Sequence, residues 1–382
     1  MYFKTLPEAE LHQYESRLKL IGQLSNLFSS SKTPYLYYRV AEKVYCECFD
    51  ADDLSRGDVA SDAVLKVGGL KIGVGLKTFL ISNGKSFQKI AEFNKQRSEY
   101  SDLTTLEMVK KVSELRNNRI SFTQNAYELD SAIYHCILRD KGEFKVFEEP
   151  MDLIQIDKIK LLPSKNSNII FSDGLHEYNF NNSKSTLLKR FVTDKILHSF
   201  PVSILGAPFQ FLEVNQYANV NQIIDLVQPK SNDIIDTLYL PLYGRNKEVG
   251  ERSSLNQWNA KGRVRDVNEA YISVPALIHK LKPDFFPPRD ATFDLLLPTQ
   301  KILQSKLCQD GSKALMSYSN KELGKWILRD VLQLKERQLL TYARLQSIGI
   351  DAVRIDKLHN NSYAINFAEI GSYETFTRLN ND

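Results

Sequence analysis

The spacing of hydrophobic and polar residues predicts a mixed first section of the chain, in which helices flank a short sheet. Helices are predicted over residues 6–55, 86–95 and 103–115. Residues 64–67 and 70–80 carry strand patterns, and Gly68-Gly69 between them predicts a tight hairpin turn. Further strands are predicted at 131–139, 144–147, 158–162, 168–171 and 177–180.

The last section carries mainly strand patterns, separated by Pro, Gly, Asn and Asp turns. Strands are predicted at 270–274, 292–297, 302–307, 353–357 and 362–367, and helices at 321–334 and 340–348. Many short strands with one or two helices indicate a small barrel or pseudobarrel. The expected organisation is an α/β (α+β) domain at 1–200, a connecting segment at 201–235 and a mostly-β domain at 236–382.

Composition narrows the class of protein. The chain has 382 residues, too many for one ordinary domain, and 42% apolar with 25% charged residues excludes a disordered chain. Its apolar stretches are shorter than the roughly 20 residues that cross a bilayer, and its start lacks a signal-peptide plan. Four cysteines are too few for a disulfide framework, so we expect a reducing cytoplasm. The net charge of +4 is only mildly suggestive of a polyanionic partner.

Asp62 and Lys77 have the layout that a nuclease of the PD-(D/E)XK kind requires. In such an enzyme one carboxylate lies at the first strand, and a second carboxylate and a lysine lie two residues apart on the next strand. Because side chains alternate along a strand, positions 75 and 77 share one face and converge with Asp62 on a metal. The metal is normally Mg²⁺, which polarises the phosphate, and the lysine orients or deprotonates the attacking water.

Position 75, where the second acid is expected, holds a glycine. We therefore expect Glu92, on the predicted helix at 86–95, to bind Mg²⁺ together with Asp62. This arrangement resembles the variant active site of certain restriction endonucleases. Glu42, upstream on another predicted helix, is a further catalytic candidate, as is Glu47. An ordinary hairpin with a surface lysine remains the alternative interpretation of the spacing.

Basic segments supply candidate contacts for DNA. Lys261, Arg263 and Arg265 lie within five residues and repel one another unless a polyanion neutralises them. The first section adds cations that are suited to phosphate: Arg119, Lys184 and Lys189. The segment at 183–191 is equally well interpreted as the basic start of a helix. Lys321, Lys325 and Arg329 form a stripe on the predicted helix at 321–334, which also fits a solvated helix face.

Three ordered motifs in the last section, at 262–275, 309–316 and 323–329, resemble the C-terminal domain of the NgoFVII restriction endonuclease family. The resemblance implies a B3-like pseudobarrel that recognises a short DNA sequence in the major groove with two arms. By resemblance, one arm would include Arg263, Arg265, Asp266 and Asn268, and a binding loop would include Gln309, Asp310, Ser312 and Lys313. Such side chains suit base edges: arginine pairs with guanine, asparagine with adenine and aspartate with cytosine.

The resemblance does not extend to the first section, which lacks the His-x-Lys of that family's phospholipase D-like nuclease. The combined prediction is a Type II-like restriction endonuclease that hydrolyses double-stranded DNA with Mg²⁺. Since one active site cuts one strand, we expect a homodimer or transient pairing on DNA. The alternative is a non-cleaving, sequence-specific DNA-binding protein with a degenerate nuclease domain, which Gly75 favours. An RNA-processing nuclease is a third hypothesis.

Overall fold

The computed structural model describes residues 1–54, 59–81, 84–164, 167–216, 234–252, 254–359 and 361–380. The chain divides into two compact units. Unit 1 comprises Met1–Ile120 and Leu129–Lys230, and unit 2 comprises Ser121–Glu128 and Ser231–Asp382. Much of the connecting segment predicted at 201–235 lies outside the described residues.

Helices in the described part of unit 1 are α1 (Glu8–Gln23), α2 (Tyr38–Cys48), α3 (Thr105–Tyr127), whose last turns cluster with unit 2, and α4 (Pro208–Gln216). Helices thus form within the predicted range 6–55, as α1 and α2, and over the predicted range 103–115, as the first part of α3. The apolar residues of α2 recur at 41, 44, 45 and 48, and they are buried on one face, as an amphipathic helix requires. Short 3₁₀ helices of unit 1 lie at Phe3–Thr5, Ser25–Leu27, Asn94–Glu99 and Ile156–Lys158, and those of unit 2 lie at Arg245–Lys247 and Ser254–Asn259.

A six-stranded sheet is the larger sheet of unit 1. Its strands are, in spatial order, β1 (Asp52–Asp53), β2 (Ala63–Val67), β3 (Leu70–Leu80), β5 (Ser131–Asp140), β6 (Glu143–Pro150) and β11 (His198–Pro201). The predicted hairpin is β2–β3, with Gly68 and Gly69 at positive φ in its turn. Strands β3 and β5 are parallel, and α3 lies in the long connection that a parallel pair needs.

A five-stranded antiparallel sheet contains, in order, β4 (Lys85–Glu92), β10 (Thr186–Val192), β9 (Glu177–Asn181), β8 (Asn168–Ser172) and β7 (Lys160–Leu162). Two predictions are wrong here. Residues 86–95 are mainly strand β4 instead of a helix, and the basic segment at 183–191 leads into strand β10. The two strands pair with each other from Val192↔Lys85 to Thr186↔Glu92. A short apolar run can form either a helix or a strand, and here a partner strand about a hundred residues away decides for the strand.

Hydrophobic clusters join these elements into one core. Helices α1 and α2 pack on the six-stranded sheet, while the first turns of α3 pack on the five-stranded sheet. A third cluster, which includes Phe79, Ile120, Tyr134 and Phe191, contains residues from both sheets and from α3.

Unit 2 contains a seven-stranded sheet among the described residues. Its strands are, in order, β12 (Ile234–Pro241), β17 (Ile350–Leu358), β18 (Ser362–Glu369), β14 (Thr292–Leu296), β15 (Ile302–Cys308), β16 (Ala314–Ser317) and β13 (Ile272–Ser273). The two ends of this order, β12 and β13, also contact each other, so the sheet curls towards the predicted pseudobarrel. Strands β12 and β16 were not predicted.

Helices of unit 2 are α5 (Ala276–Leu281), α6 (Glu322–Lys325), α7 (Tyr342–Ile348) and α8 (Ser372–Leu379), and a π-helix, Trp326–Val331, continues α6. The π-helix breaks the predicted 3.6-residue stripe, and Arg329 turns inward to main-chain carbonyls. At Gly324 a Cβ atom would lie 2.0 Å from the carbonyl oxygen of Asn268, so only glycine allows α6 to approach this closely. No helix in the described part of the chain is long and apolar enough to span a membrane.

Candidate functional site

Asp62 and Lys77 line one cavity of about 140 Å³ in unit 1. The β2–β3 hairpin brings them together: the main-chain N–H of Asp62 donates to the carbonyl of Val74 (2.8 Å), and Asp62 Oδ2 accepts from the N–H of Leu76 (2.7 Å). Lys77 follows on β3. The other polar lining residues are Arg116, Arg119 and Tyr134.

The carboxylate of Asp62 is in an environment that disfavours its charge. Burial raises its pKa above the ordinary value, and the positive charge of Lys77 and the N–H of Leu76 offset this only in part. Glu42 on α2 is buried as well. Burial raises the pKa of Glu42, the charge of Asp62 raises it further, and Arg39, whose Nη1 lies 3.2 Å from Glu42 Oε2, opposes both effects. A cation beside Asp62 and Glu42 would relieve their repulsion.

Glu92 has different neighbours. It ends strand β4, and its carboxylate pairs with Lys89 Nζ (2.7 Å) and accepts a hydrogen bond from Asn94. The paired lysine lowers the pKa of Glu92. Residues Ile90 and Ala91 line the cavity, whereas Glu92 is not among its described lining residues. The expected partnership of Glu92 with Asp62 depended on a helix that does not form. The acids whose charges interact with Asp62 are instead Glu42 and Asp53.

The space beside Gly75 is already filled. A Cβ atom there would lie 2.8 Å from the methyl group of Met151 and 3.1 Å from the ring of Tyr134. Tyr134 is opposite Gly75 in the parallel β3–β5 pair. An acidic side chain at position 75 would therefore displace Met151 and the Tyr134 ring, so this position cannot supply the missing carboxylate without rearrangement.

The cations of the cavity are held in place. Arg116 donates to the carbonyl of Asp152 (2.8 Å) and to the hydroxyl of Tyr134 (3.1 Å). Arg119 donates to the carbonyl of Glu92 (2.9 Å) and to Gln96 Oε1 (2.8 Å). Lys77 is half-buried, and its Nζ lies 6.0 Å from the centre of the Tyr134 ring. Sequence patterns did not identify Tyr134, because only the β3–β5 register brings it to the site.

A metal at this cavity would have few protein ligands. No cluster of three or more His, Cys, Asp or Glu side chains that could hold an ion is found among the described residues. Mg²⁺ usually retains several waters and is bound through one or two carboxylates. Asp62 lines the cavity, whereas Glu42 is not among its described lining residues but lies near enough for the charge of Asp62 to raise its pKa. Together these two carboxylates would offer oxygen donors of the type that Mg²⁺ prefers.

The remaining cations predicted in unit 1 differ in their exposure. Lys184 is exposed in the turn before β10. Lys189 is 1% exposed and ion-paired with Glu149, so its predicted contact with DNA is not supported.

In unit 2, a loop at residues 260–269, here called the arginine loop, carries the predicted basic arm. Arg263 Nη2 and Arg265 Nη1 lie 2.6 Å and 2.5 Å from the same oxygen, Glu269 Oε1. Glu269 is buried, and Arg265 also donates to the carbonyl of Ala260 (3.2 Å). The predicted repulsion between the cations is thus relieved by a carboxylate of the same loop instead of by DNA. Lys261 remains exposed.

The polar residues of the same loop fix its base. Asp266 Oδ1 accepts from the main-chain N–H of Asn268 (2.9 Å), and Asn268 Oδ1 accepts from Arg329 Nε (2.9 Å). Arg329 also donates to the carbonyl of Val267 (2.7 Å). The main-chain N–H and the side-chain Oδ1 of Asn268 are therefore engaged within the protein, and its contact with a base stays a prediction.

The second predicted DNA-contacting segment is the turn between β15 and β16. Asp310 has a 95% exposed side chain and pairs with Arg289 (2.9 Å), whereas Ser312 adopts positive φ and Lys313 is exposed. Gln309 has positive φ as well. The antiparallel pairs Ile272↔Leu315 and Ser273↔Ala314 put this turn and the arginine loop at opposite ends of β16.

Comparison with known proteins gives a match in the carboxyl-terminal part of the chain. The family model described as the NgoFVII C-terminal B3-like DNA-binding domain matches residues 231–359. This match confirms the resemblance predicted for the carboxyl-terminal part, and it does not include the α/β unit that carries Asp62 and Lys77. A search of curated proteins found no match to the chain. The carboxyl-terminal part of this protein is therefore similar to a B3-like DNA-binding domain associated with restriction enzymes.

Proposed function

We propose that this protein is a Mg²⁺-dependent endonuclease that cuts duplex DNA at a specific short sequence. Unit 2 would select the sequence, in keeping with the family match at 231–359. Unit 1 would hydrolyse the phosphodiester at the cavity that contains Asp62 and Lys77.

The observation that carries the proposal is the charge distribution of this cavity. Among the described lining residues, Lys77, Arg116 and Arg119 are accompanied by one acid, Asp62. Cations that converge on a small cavity favour a phosphate, and Arg116 and Arg119 are already oriented by hydrogen bonds, so little side-chain entropy is lost on binding.

Each side chain has a distinct role in the proposed reaction. Asp62 and Glu42 would hold Mg²⁺, which supplies Lewis-acid polarisation of the phosphate and a bound water of lowered pKa. Lys77 would orient the attacking water and stabilise negative charge on the phosphate. Arg116 and Arg119 would bind the non-bridging oxygens. Tyr134 keeps Arg116 in position through its hydroxyl group.

A digestion assay tests the proposal. Purified protein with Mg²⁺ is incubated with DNA of mixed sequence, and we expect discrete fragments whose ends share one sequence. Asp62→Ala and Lys77→Ala should each lower the cleavage rate by a factor of about a thousand or more, so that the fragments disappear. Both variants should still bind the same DNA sequence, because unit 2 is unchanged. Fragments that persist undiminished in both variants would contradict the proposed cavity.

The second candidate is a non-cleaving, sequence-specific DNA-binding protein. The side chains of Met151 and Tyr134 that fill the space beside Gly75 favour it, since they exclude the acid that the nuclease pattern expects. Selective retention of one DNA sequence without cleavage, over several divalent metals and salt concentrations, would establish this alternative.

Double-strand cleavage also implies a second active site. A cavity of this size acts on one strand at a time, so we propose that two copies pair on DNA, as a homodimer or transiently. Light scattering of the protein with and without its DNA sequence would detect the pairing.

A further inference from the structure

The most exposed large hydrophobic side chain described in this protein is at the tip of the arginine loop. Val264 is 95% exposed and lies between Arg263 and Arg265. Single exposed aliphatic residues are common on protein surfaces and need no explanation by themselves. The surroundings of Val264 are what distinguish it.

The arginine loop is held rigidly beneath this side chain. Arg263 and Arg265 converge on the buried carboxylate of Glu269, and Arg263 Nη1 donates to the carbonyl of Val264 itself (3.1 Å). The base of the loop is fixed by Arg329 through Asn268. Val264 is β-branched, so its own χ1 rotation is restricted as well. A rigid apolar group therefore projects from the protein without a partner in the described part of the chain.

The charge around the tip suits a polyanion. Lys261 is exposed on the same loop, and Lys321 and Lys325 are exposed at either end of α6. Helix α6 is close to the loop, because the position of Gly324 is in contact with the carbonyl of Asn268. Val264 would thus approach DNA together with exposed cations of its own loop and of α6 that can bind phosphates, while the valine itself can bind only an apolar part of a base.

We propose that Val264 recognises the C5-methyl group of a pyrimidine in the major groove of the target sequence. This methyl group is the apolar feature of the major-groove edge, and aliphatic side chains contact it. It is present in thymine and in 5-methylcytosine, and Val264 can bind either. The inference rests on the proposed DNA recognition by unit 2, and it assigns specificity to Val264 instead of to the two arginines beside it.

Modified duplexes test the inference. The full chain first selects its preferred sequence from a random DNA pool. Each thymine of that sequence is then replaced singly by deoxyuridine, which lacks the methyl group, and each cytosine singly by 5-methylcytosine. For the unchanged protein we expect one position at which deoxyuridine weakens binding, or 5-methylcytosine strengthens it, about fourfold, the value of one buried methyl group. The first result identifies thymine as the source of the methyl group, and the second identifies 5-methylcytosine.

Val264→Ala should bind the modified and unmodified duplexes equally well at that one position. At every other position the effect of each modification on its affinity should match that of the unchanged protein. Ile302→Ala is the matched control, because Ile302 is an exposed aliphatic residue of unit 2 on strand β15, and it should keep the full profile. Equal urea midpoints for both variants and the unchanged protein would establish that they fold.

The contrary outcomes are distinct. If the chain selects a sequence but Val264→Ala and the unchanged protein give the same profile at every position, the inference about Val264 is wrong and the proposed DNA recognition stands. A uniform loss of affinity in Val264→Ala, accompanied by reduced DNA bending, would also overturn methyl recognition and indicate insertion between base steps. If the chain selects no DNA sequence, both the proposed function and the inference fall.

Discussion

The cavity in unit 1 and the arginine loop in unit 2 use the same kinds of residue in opposite ways. In the loop, two arginines share one buried carboxylate, Glu269, so their charges are compensated within the protein. Among the described residues, three cations and one acid line the cavity, and the charge of Asp62 raises the pKa of Glu42 instead of easing its ionisation. A run of basic residues in a sequence therefore does not indicate a binding surface until its counter-charges are known.

The sharpest test of this comparison concerns which glutamate binds Mg²⁺ together with Asp62. Glu42→Gln retains the shape of the buried side chain and removes its charge, and we expect cleavage to fall about a thousandfold through the loss of a metal ligand. Glu92→Gln is the matched control. Because Glu92 is exposed and pairs with Lys89, cleavage should change by less than about threefold. Initial rates at saturating Mg²⁺ measure both, and the reverse order would restore Glu92 as the ligand.

The second test removes the counter-charge of the loop. Glu269→Ala leaves Arg263 and the largely buried Arg265 without their partner, so we expect the free energy of unfolding to fall by about 3 kcal/mol. Urea denaturation measures the change. Asp310→Ala is the control, because its side chain is 95% exposed and an exposed ion pair contributes little. A loss of DNA binding without a loss of stability would mean that the pairs are not structural.

The smallest expected effect is a pH-dependent change in stability at Asp62. Because burial raises the pKa of Asp62, the folded protein holds this proton more tightly than the unfolded chain does. The stability that this tighter proton binding contributes is fully present below the ordinary pKa of 3.8. It is lost as the pH rises through the higher pKa that Asp62 has in the folded protein. Asp62→Asn cannot ionise, so without metal it should be more stable than the unchanged protein at pH 7, by on the order of 1 kcal/mol.

Urea titrations in the presence of a chelator measure this difference, which should shrink towards pH 4. Added Mg²⁺ should stabilise the unchanged protein more than Asp62→Asn, since the variant keeps only one of the two proposed carboxylate ligands. Equal stability of the two proteins at pH 7 and at pH 4 would show that Asp62 ionises without a cost, and the contrast with Glu269 would disappear.

Sequence patterns were most informative where the relevant contacts are local. The β2–β3 hairpin, helix α2 and the amphipathic start of α3 follow from spacing and from the Gly68-Gly69 turn, because these features depend on neighbouring residues. The same holds for the B3-like resemblance, which rests on contiguous motifs and is confirmed by the family match at 231–359. The convergence of Asp62 and Lys77 also follows from one hairpin.

Only the tertiary structure decided which acids, cations and rings surround that hairpin. Strand β4 pairs with β10, about a hundred residues away, and this pairing removes the predicted helix of Glu92. The register of β3 with β5 brings Tyr134 beside Gly75, and burial of Glu269 determines that Arg263 and Arg265 are paired within the loop. The physical reason is that burial and ionic pairing depend on distances between remote segments, which residue spacing along a chain does not specify.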